Sequence, residues 1–425
     1  MADSPVIAFA SRFLVLVIQF VTNCLIPDHQ SEDAFQGIGN AATPSTADVL
    51  IQKFFGGLRR WDAQHFLHIA KYGYTYENNL AFFPAFPIAF STSLTAVILN
   101  VIFFILSAIA LYKLTSVVLM NQILAYYSTL LFCINPASIF FTAPYSESFY
   151  TFCTFSGLLL LELNVSPLLA SILFAEGSIV RSNGIVNLGF VAYKILLRFR
   201  EPRSASIFRE TLQIVLSAVM ILSPFCLYQV YAYLKFCTAF DTSPPIEIQL
   251  LAIKEKYVMP GADLPWCQFS VPVSYFHIQK KYWNVGFMEY FELKQIPNFV
   301  LASPILLLIF YNSLKFFFNH KNALMSVGSF LKLSPYSLRL FPYVVHILYL
   351  SVFCFFCAHV QIATRMLASA SPILYWYASS ILYVWNSLLL TELQPLNSKP
   401  IYVKYYFLLY CVIGTSLFSN NLPWT

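Results

Sequence analysis

Long uncharged runs alternate with short polar segments along most of this chain. Seven runs contain no Asp, Glu, Lys or Arg over at least 20 residues, about the length that one helix needs to cross a bilayer. A shorter apolar run, 13–26, follows Arg12 without a small-residue cleavage signature, so we interpret it as an uncleaved first span. The pattern predicts an all-α polytopic membrane protein. The seven long runs are 78–112, 114–146, 211–234, 295–314, 340–364, 366–391 and 405–425.

Composition supports the membrane class. Of the 425 residues, 58% are hydrophobic and only 10% are charged, and the mean hydropathy is +0.67. Soluble domains carry about 25% charged residues. The net charge of +6 is scattered between the apolar runs. No continuous basic surface for a nucleic acid is therefore expected.

The basic residues orient the spans. Lys and Arg concentrate in segments 198–209, 315–339 and 399–404, which the positive-inside rule assigns to the cytosol. The same rule places the N-terminus in the cytosol and the C-terminus in the lumen. Two large polar segments, 28–80 and 237–298, are then luminal, within one integral membrane domain that comprises residues 1–425.

Counting crossings gives the number of spans. Residue 80 is predicted to be luminal and residue 198 cytosolic, so an odd number of membrane crossings must separate them. Five crossings fit at roughly 23 residues each, which gives about eleven spans in total. This division brings 145–147 and 181–184 to the luminal side, together with Trp61 and Asp62. After the first span, we predict 83–119 as one long or broken element, then spans at 122–142, 146–162, 167–181, 185–197, 211–236, 299–318, 341–361, 370–391 and 402–420.

Two of the nine cysteines differ from the rest. Cys237 and Cys267 flank a polar stretch of the second luminal segment, whereas most of the others lie inside apolar runs. Because oxidising compartments sustain disulfides, we predict that this pair is bonded. Cys354 and Cys357 form a CxxC within a span, where packing is the favoured interpretation.

The first luminal segment carries a dense group of polar and aromatic residues. Asp28 follows the first span, and residues 47–58 have the spacing of an amphipathic helix in the interface plane. Trp61, His65 and His68 then share one helical face beside Asp62. One interpretation is a carboxylate and imidazoles directed at a lipid headgroup; the other is an interfacial helix with an aromatic anchor and solvated polar residues.

Metal binding is not favoured for the Asp62-x-x-His65-x-x-His68 spacing. Residues at i, i+3 and i+6 drift around a helix, and the chain has no Asp-x-Asp pair. We therefore predict no metal site and no resident cofactor.

Charges within the apolar half are costly unless they are paired or lie in a polar cavity. Glu147 and Arg181 fall at predicted luminal span ends, and Arg365 lies one turn after Gln361. An arginine there is suited to binding a phosphate. Each charge could instead extend to the interface by itself. Together they indicate a luminal site for a phosphate-bearing lipid.

A set of motifs in order along nearly the whole chain resembles the PIG-V family of glycosylphosphatidylinositol (GPI) mannosyltransferases. They are Trp61-Asp62-Ala63-Gln64-His65-Phe66, Ala81-Phe82-Phe83-Pro84, Asn135-Pro136-Ala137-Ser138, Tyr145-Ser146-Glu147, Val180-Arg181-Ser182-Asn183-Gly184, Tyr282-Trp283-Asn284-Val285-Gly286-Phe287, Glu292-Leu293-Lys294-Gln295-Ile296-Pro297-Asn298, His359-Val360-Gln361, Thr364-Arg365 and Leu422-Pro423-Trp424-Thr425. The resemblance implies a GT-C glycosyltransferase bundle in the endoplasmic reticulum membrane. It also implies transfer of the second mannose, in α1,6 linkage, from dolichyl phosphate mannose to the first mannose of a GPI precursor.

The resemblance also suggests roles for individual residues. An inverting transfer needs a base for the acceptor hydroxyl and cations for the departing phosphate. Asp28 and Asp62 are the candidate bases, and Arg181 and Arg365 the candidate phosphate ligands. We expect further substrate contacts from Trp61, His65, Glu147 and Gln361.

Two alternatives stay open at this point. One is another dolichol-dependent mannosyltransferase with a different lipid acceptor. The other is a multispanning transporter or lipid-handling protein, which inverted repeats would indicate and which this sequence does not display. A small membrane partner subunit is compatible with either enzyme.

Overall fold

The computed structural model describes residues 3–29, 35, 45–198, 207–238, 244–324, 333–382 and 400–424. Across these ranges the chain is helical, without a strand. The α-helices are α1 Ser4–Leu25, α2 Thr46–Phe55, α3 Asp62–Tyr72, α4 Ala85–Ile88, α5 Ser93–Leu119, α6 Gln122–Cys133, α7 Glu147–Glu162, α8 Pro167–Val180, α9 Leu188–Arg198, α10 Ile207–Cys237, α11 Ile246–Glu255, α12 Ser274–Trp283, α13 Ile296–Asn319, α14 Lys321–Leu324, α15 Pro335–Phe356, α16 Ala363–Ala370, α17 Ile373–Leu382 and α18 Pro400–Ser419.

The all-α membrane class is confirmed, but the spans are not eleven long helices. Within the described ranges, six helices are long and apolar enough to cross a membrane, namely Ser4–Leu25, Ser93–Leu119, Ile207–Cys237, Leu293–Asn319, Pro335–Phe356 and Ile401–Ser419. The other predicted spans correspond to shorter or broken helices. The basic segment 199–206, Lys332, Lys399 and the end of the predicted 370–391 span lie outside the described residues.

One predicted span was wrong as a continuous helix, and the 83–119 element takes the broken form of its two predicted alternatives. The 83–119 element is interrupted between α4 and α5, and α5 begins with a capping box in which Thr92 and Thr95 exchange hydrogen bonds. The 122–142 span ends as a helix at Cys133, and a 3₁₀ turn follows at Ser138–Phe141. Within the predicted 370–391 span the structure describes α17, which Pro372 separates from the preceding α16, and residues 383–391 lie outside the described residues.

A buried arginine explains why the break after α6 is stable. The side chain of Arg12, on α1, is only 1% exposed and donates to the carbonyl of Cys133 at 2.9 Å and to that of Ser138 at 2.7 Å. The guanidinium lies 3.8 Å from the ring centroid of Phe104. Carbonyls at a helix C-terminus lack partners and carry partial negative charge. Arg12 supplies donors for the carbonyls of Cys133 and Ser138 at this break.

The amphipathic helix predicted at 47–58 is α2 followed by a 3₁₀ turn at Gly56–Leu58. It docks on α1, where Gln19 donates to the carbonyl of Phe54 at 2.6 Å and the rings of Phe20 and Phe54 stack. Val49 and Leu50 remain exposed. An exposed apolar strip on a helix beside a span fits a position in the membrane interface.

The two large polar segments, 28–80 and 237–298, pack together around a buried carboxylate. Glu77 has no exposed surface, and it accepts hydrogen bonds from Trp266 Nε1 at 2.9 Å and Tyr282 Oη at 2.6 Å. Lys281 completes an ion pair with it at 2.5 Å. Since each of these partners comes from the second segment, Glu77 fixes the two segments on one side of the bundle.

The second segment is closed by a disulfide. Cys237, the last residue of α10, is bonded to Cys267, and their Cα atoms are 5.6 Å apart. The bond encloses a stretch with a sequence separation of 30 residues, and a loop of this size contributes about 3 kcal/mol in the chain-entropy model.

We therefore expect Cys267→Ser to lower the free energy of unfolding by about 3 kcal/mol. Peptide mapping of unreduced protein should recover the linked Cys237 and Cys267 peptides. Cys226→Ser is the matched control because Cys226 is a free, exposed cysteine on the same helix, α10. Alkylation of Cys237 without prior reduction would contradict the bond.

Candidate active site

Asp62 is held at the first residue of α3 by an unusual turn. The preceding Trp61 has a φ of 54°, a left-handed conformation that costs a non-glycine residue about 1–3 kcal/mol. The backbone N–H of Asp62 donates to Tyr145 Oη at 3.1 Å, and that hydroxyl donates to the carbonyl of Arg60 at 3.2 Å. Burial raises the pKa of Tyr145 well above its ordinary value, so the phenol remains a donor. This contact fixes the turn before α3 to the residues just before α7.

Arg365 connects Asp62 to a second carboxylate. Its Nη2 lies 2.7 Å from Asp62 Oδ2, and its Nη1 lies 3.9 Å from Glu147 Oε1. The guanidinium is 5.3 Å from the ring centroid of Phe140 and 5.5 Å from that of Tyr145. Aromatic faces stabilise a cation at such distances. Arg365 is therefore oriented on two sides by carboxylates and on others by rings.

Glu147 lies between two arginines at the start of α7. It has no exposed surface and forms an ion pair with Arg181, which also donates to Ser146 Oγ at 3.4 Å. The order of charges is Asp62, Arg365, Glu147 and Arg181, and we call these four residues the central cluster. Its formal charges sum to zero. Buried charges are tolerated when they are paired in this way.

The backbone around Arg181 explains the glycine of its motif. Helix α8 ends at Val180, Arg181 is extended, and a 3₁₀ turn at Ser182–Asn187 follows. A Cβ on Gly184 would lie 2.6 Å from the carbonyl of Gly177. The turn can therefore fold back against α8 only with a glycine there, and this return places Arg181 beside α7.

The structure thus brings together four residues from segments that are distant in sequence. The crossing count predicted a shared side for three of them, Asp62, Glu147 and Arg181. Glu147 and Arg181 lie on the same side as Asp62 because both contact the cluster that contains it. Asp28 lies next to this cluster without contacting it: it is 49% exposed and pairs with Arg60 at 2.6 Å. Arg60 also donates to the carbonyl of Ser419 at 3.3 Å.

The expectation that imidazoles point at a headgroup is wrong for His68, whereas a substrate contact of His65 stays a prediction. His68 is 5% exposed and hydrogen-bonds Thr75 Oγ1 at 2.6 Å. His65 hydrogen-bonds Asn79 at 3.2 Å and stacks on Phe82. Burial lowers the pKa of His65, and it lowers the pKa of His68 to about 3. Both imidazoles are therefore neutral at physiological pH and pack inward.

Two other predicted substrate residues lie at the edge of the site. Trp61 is 43% exposed, so its indole remains available to a ligand or a lipid surface. Gln361 is in a 3₁₀ turn before α16, and it makes no hydrogen bond or ion pair to the central cluster in the part of the chain that the structure describes. Where residues are described, no group of three His, Cys, Asp or Glu residues is placed to hold a metal ion.

Sequence reasoning missed the contacts of three residues, namely Tyr145, Arg60 and Glu77. Tyr145 was part of a motif, and its position directly after Pro144 was the available signal. Nothing in the local sequence around Glu77 indicates that its partners come from about 200 residues later.

Similarity to known proteins decides the family. A family model described as Mannosyltransferase (PIG-V) matches residues 6–425. This chain belongs to the PIG-V mannosyltransferase family. The protein named GPI alpha-1,6-mannosyltransferase 2 of Homo sapiens is 35% identical over 98% of this chain and 97% of its own length. Its Mus musculus counterpart is 35% identical over 100% and 99%, and GPI mannosyltransferase 2 of Drosophila melanogaster is 34% identical over 99% and 98%.

No solved structure matches the chain. The geometry of the central cluster is that of this PIG-V family member. It contains two carboxylates, two guanidinium groups and a fixed phenol. Carboxylates can accept protons, and guanidinium groups can stabilise phosphate charge. Both functions are needed to transfer a sugar from a phosphate.

Proposed function

We propose that this PIG-V family member adds the second mannose of the GPI anchor, in α1,6 linkage, to the first mannose of a lipid-linked precursor. The relatives that carry this name match the chain over nearly its whole length. The observation that carries the chemistry is the ion pair between Asp62 and Arg365, at 2.7 Å, within a neutral cluster of four charges.

The proposed donor is dolichyl phosphate mannose, and the proposed location is the luminal face of the endoplasmic reticulum membrane. Trp61 is exposed next to the cluster, and α2 lies beside it with an exposed apolar strip. A site at the end of a helix bundle suits a donor and an acceptor that are both held in the bilayer by lipid tails. The position of basic segments supports the luminal assignment.

We propose Asp62 as the base. The acceptor hydroxyl forms a bond to C1 of the mannose while the bond between C1 and the phosphate oxygen breaks on the opposite side of the ring. The hydroxyl proton passes to Asp62. The leaving dolichyl phosphate then changes from one negative charge to two, while the cluster changes from neutral to one positive charge. Arg365 and Arg181 stabilise the charge that develops on the phosphate.

Asp28 is the second candidate for the base. It is more exposed than Asp62, and its partner Arg60 directly precedes the Trp61–Asp62 turn. Trp61, His65, Glu147 and Gln361 remain proposed substrate-site residues. We assign Glu147 to positioning, because it is wholly buried between the two arginines.

The membrane side of the site can be tested by labelling. We expect a cysteine at position 294 to react only with a luminal reagent and one at position 321 only with a cytosolic reagent. The 24-residue helix α13 separates the two positions, and at 1.5 Å per residue it is about 36 Å long. The variants Lys294→Cys and Lys321→Cys would be made in a background without exposed free cysteines. Labelling in the reversed order would refute the orientation.

Complementation tests the function itself. The chain would be expressed in cells that lack transfer of the second mannose, and their GPI intermediates would be identified by mass spectrometry. We expect the precursor with one mannose to decrease and later intermediates to appear, with the new linkage assigned by α1,6-specific mannosidase digestion. Full accumulation of the precursor at normal protein abundance would contradict the proposed acceptor.

A further inference from the structure

A second charged group lies at the end of α7 that is far from the central cluster. Glu162 is the last residue of α7, and it accepts from Arg339 Nε at 2.7 Å and from Tyr343 Oη at 3.0 Å. Lys194 Nζ is 3.8 Å away. Fifteen residues separate Glu162 from Glu147, or about 22 Å along a helix. The group therefore lies towards the opposite membrane surface from the proposed active site.

This group lines a cavity of about 540 Å³ between α7, α9 and α15. Most of the wall is apolar, and the charged side chains occupy one part of it. The apolar residues that line the cavity include Leu158, Leu161, Phe190, Leu197, Leu338 and Pro342. A cavity of this kind, with a few convergent polar groups in an apolar wall, is typical of a ligand site.

The charges of the cavity do not cancel. Lys194 and Arg339 are two cations, and Glu162 is the one carboxylate in the lining. The side chain of Lys194 is 25% exposed and that of Arg339 is 28% exposed, so both cations reach the cavity surface. Arg339 uses Nε for Glu162, and in the described ranges its two terminal nitrogens have no hydrogen-bond partner. Glu162 thus holds the arginine in place and leaves its outer edge for an anion.

The neighbouring cations form ion pairs outside the cavity lining. Arg198 lies one turn beyond Lys194 on α9, but it is opposed by Glu210 at 3.7 Å. Glu210 in turn also contacts Arg209 at 3.2 Å. The excess positive charge at the cavity wall therefore comes from Lys194 and Arg339.

We propose that this cavity binds the phosphate-bearing headgroup of an anionic membrane lipid, in the leaflet opposite the active site. The outer edge of Arg339 donates to two phosphate oxygens, and Lys194 supplies the second charge. The apolar walls contact the first part of the lipid chains. Basic pockets between membrane helices on the cytoplasmic side are suited to such headgroups. The inference does not depend on the proposed base or on the sugar acceptor.

The test uses full-length protein in nanodiscs of phosphatidylcholine that contain a small fraction of phosphatidic acid. Native mass spectrometry after release from the nanodisc measures how much phosphatidic acid remains bound. We expect the double variant Lys194→Gln/Arg339→Lys to retain at least about tenfold less, because it loses one charge and the planar fork of the arginine. Arg339→Lys keeps a cation beside Glu162, so it preserves the charge balance of the buried carboxylate.

Lys321→Gln is the matched control, because it removes an exposed cation near the same membrane surface outside the cavity. It should retain as much phosphatidic acid as the parent protein. Equal retention by the double variant, or equal loss in the control, would overturn the proposal. If the double variant fails to fold, the retention of phosphatidic acid by Lys194→Gln alone is compared with that of the parent protein and of Lys321→Gln.

A competition arm separates a lipid from a soluble anion. Glycerol 3-phosphate added at millimolar concentration should not displace the bound lipid, because it lacks the chains that contact the apolar wall. Complete displacement at equal concentrations of phosphate groups would mean that the cavity binds any phosphate, and the assignment to a lipid would be wrong.

Discussion

Replacing Asp62 with asparagine is expected to slow mannose transfer by about 10²–10⁴-fold, the usual cost of losing a general base. Asparagine is nearly isosteric and its side-chain oxygen can still accept from Arg365, so the protein should remain folded. The rate would be measured as formation of the dimannosylated GPI intermediate in microsomes from complemented cells. Expression must be low and normalised to protein abundance, since overproduction can hide a large loss of rate.

Asp28→Asn is the matched control for this experiment. Both substitutions remove a carboxylate that pairs with an arginine on the same side of the molecule, but only Asp62 belongs to the central cluster. We expect Asp28→Asn to lower the transfer rate by less than about tenfold, because Asp28 is half exposed and ion pairs in contact with solvent contribute little. A severe loss in Asp28→Asn with near-normal transfer in Asp62→Asn would reverse the assignment of the base. Near-normal transfer in both would refute a base among these two residues.

The general arrangement of this molecule could be predicted because membrane helices follow local rules. Apolar runs and basic loops indicated an all-α membrane protein, and the count of crossings placed 145–147 and 181–184 on the same side as Trp61 and Asp62. The contacts of Glu147 and Arg181 with the central cluster agree with that placement. Charges that are costly in a membrane were a usable signal, because each must find a partner.

The breaks within predicted spans could not be found in the same way. Helix α6 ends at Cys133 because Arg12, more than 100 residues earlier, supplies donors to its terminal carbonyls. An apolar run by itself cannot reveal such a partner. The orientation of His68 has a similar cause, since Thr75 and the ring of Phe35 attract it inward. Helical spacing showed that the histidines share a face but not what that face contacts.

Glu147→Gln is expected to lower the free energy of unfolding by about 3–5 kcal/mol, because removing one partner leaves buried cations without compensation. Glu147 is wholly buried, and Arg181 and Arg365 are each 16% exposed. Arg365 would keep Asp62 as a partner, whereas Arg181 would lose its ion pair. Denaturant titration of purified protein in mixed micelles measures the effect. Glu176→Gln is the control, because Glu176 is exposed on the neighbouring helix α8.

The pair Glu147→Gln and Arg181→Gln also distinguishes positioning from stability alone. If Glu147→Gln destabilises the protein mainly by leaving the charge of Arg181 unpaired, the double variant should lose less free energy of unfolding than the two single variants lose in sum. Transfer should nevertheless remain low in the double variant, because Arg181 no longer stabilises the departing phosphate and Arg365 has lost one of its two carboxylates. Recovery of both stability and transfer would show that the pair only satisfies its own charges. Recovery of stability without transfer would show that the Glu147–Arg181 pair serves the reaction as well as satisfying its own charges.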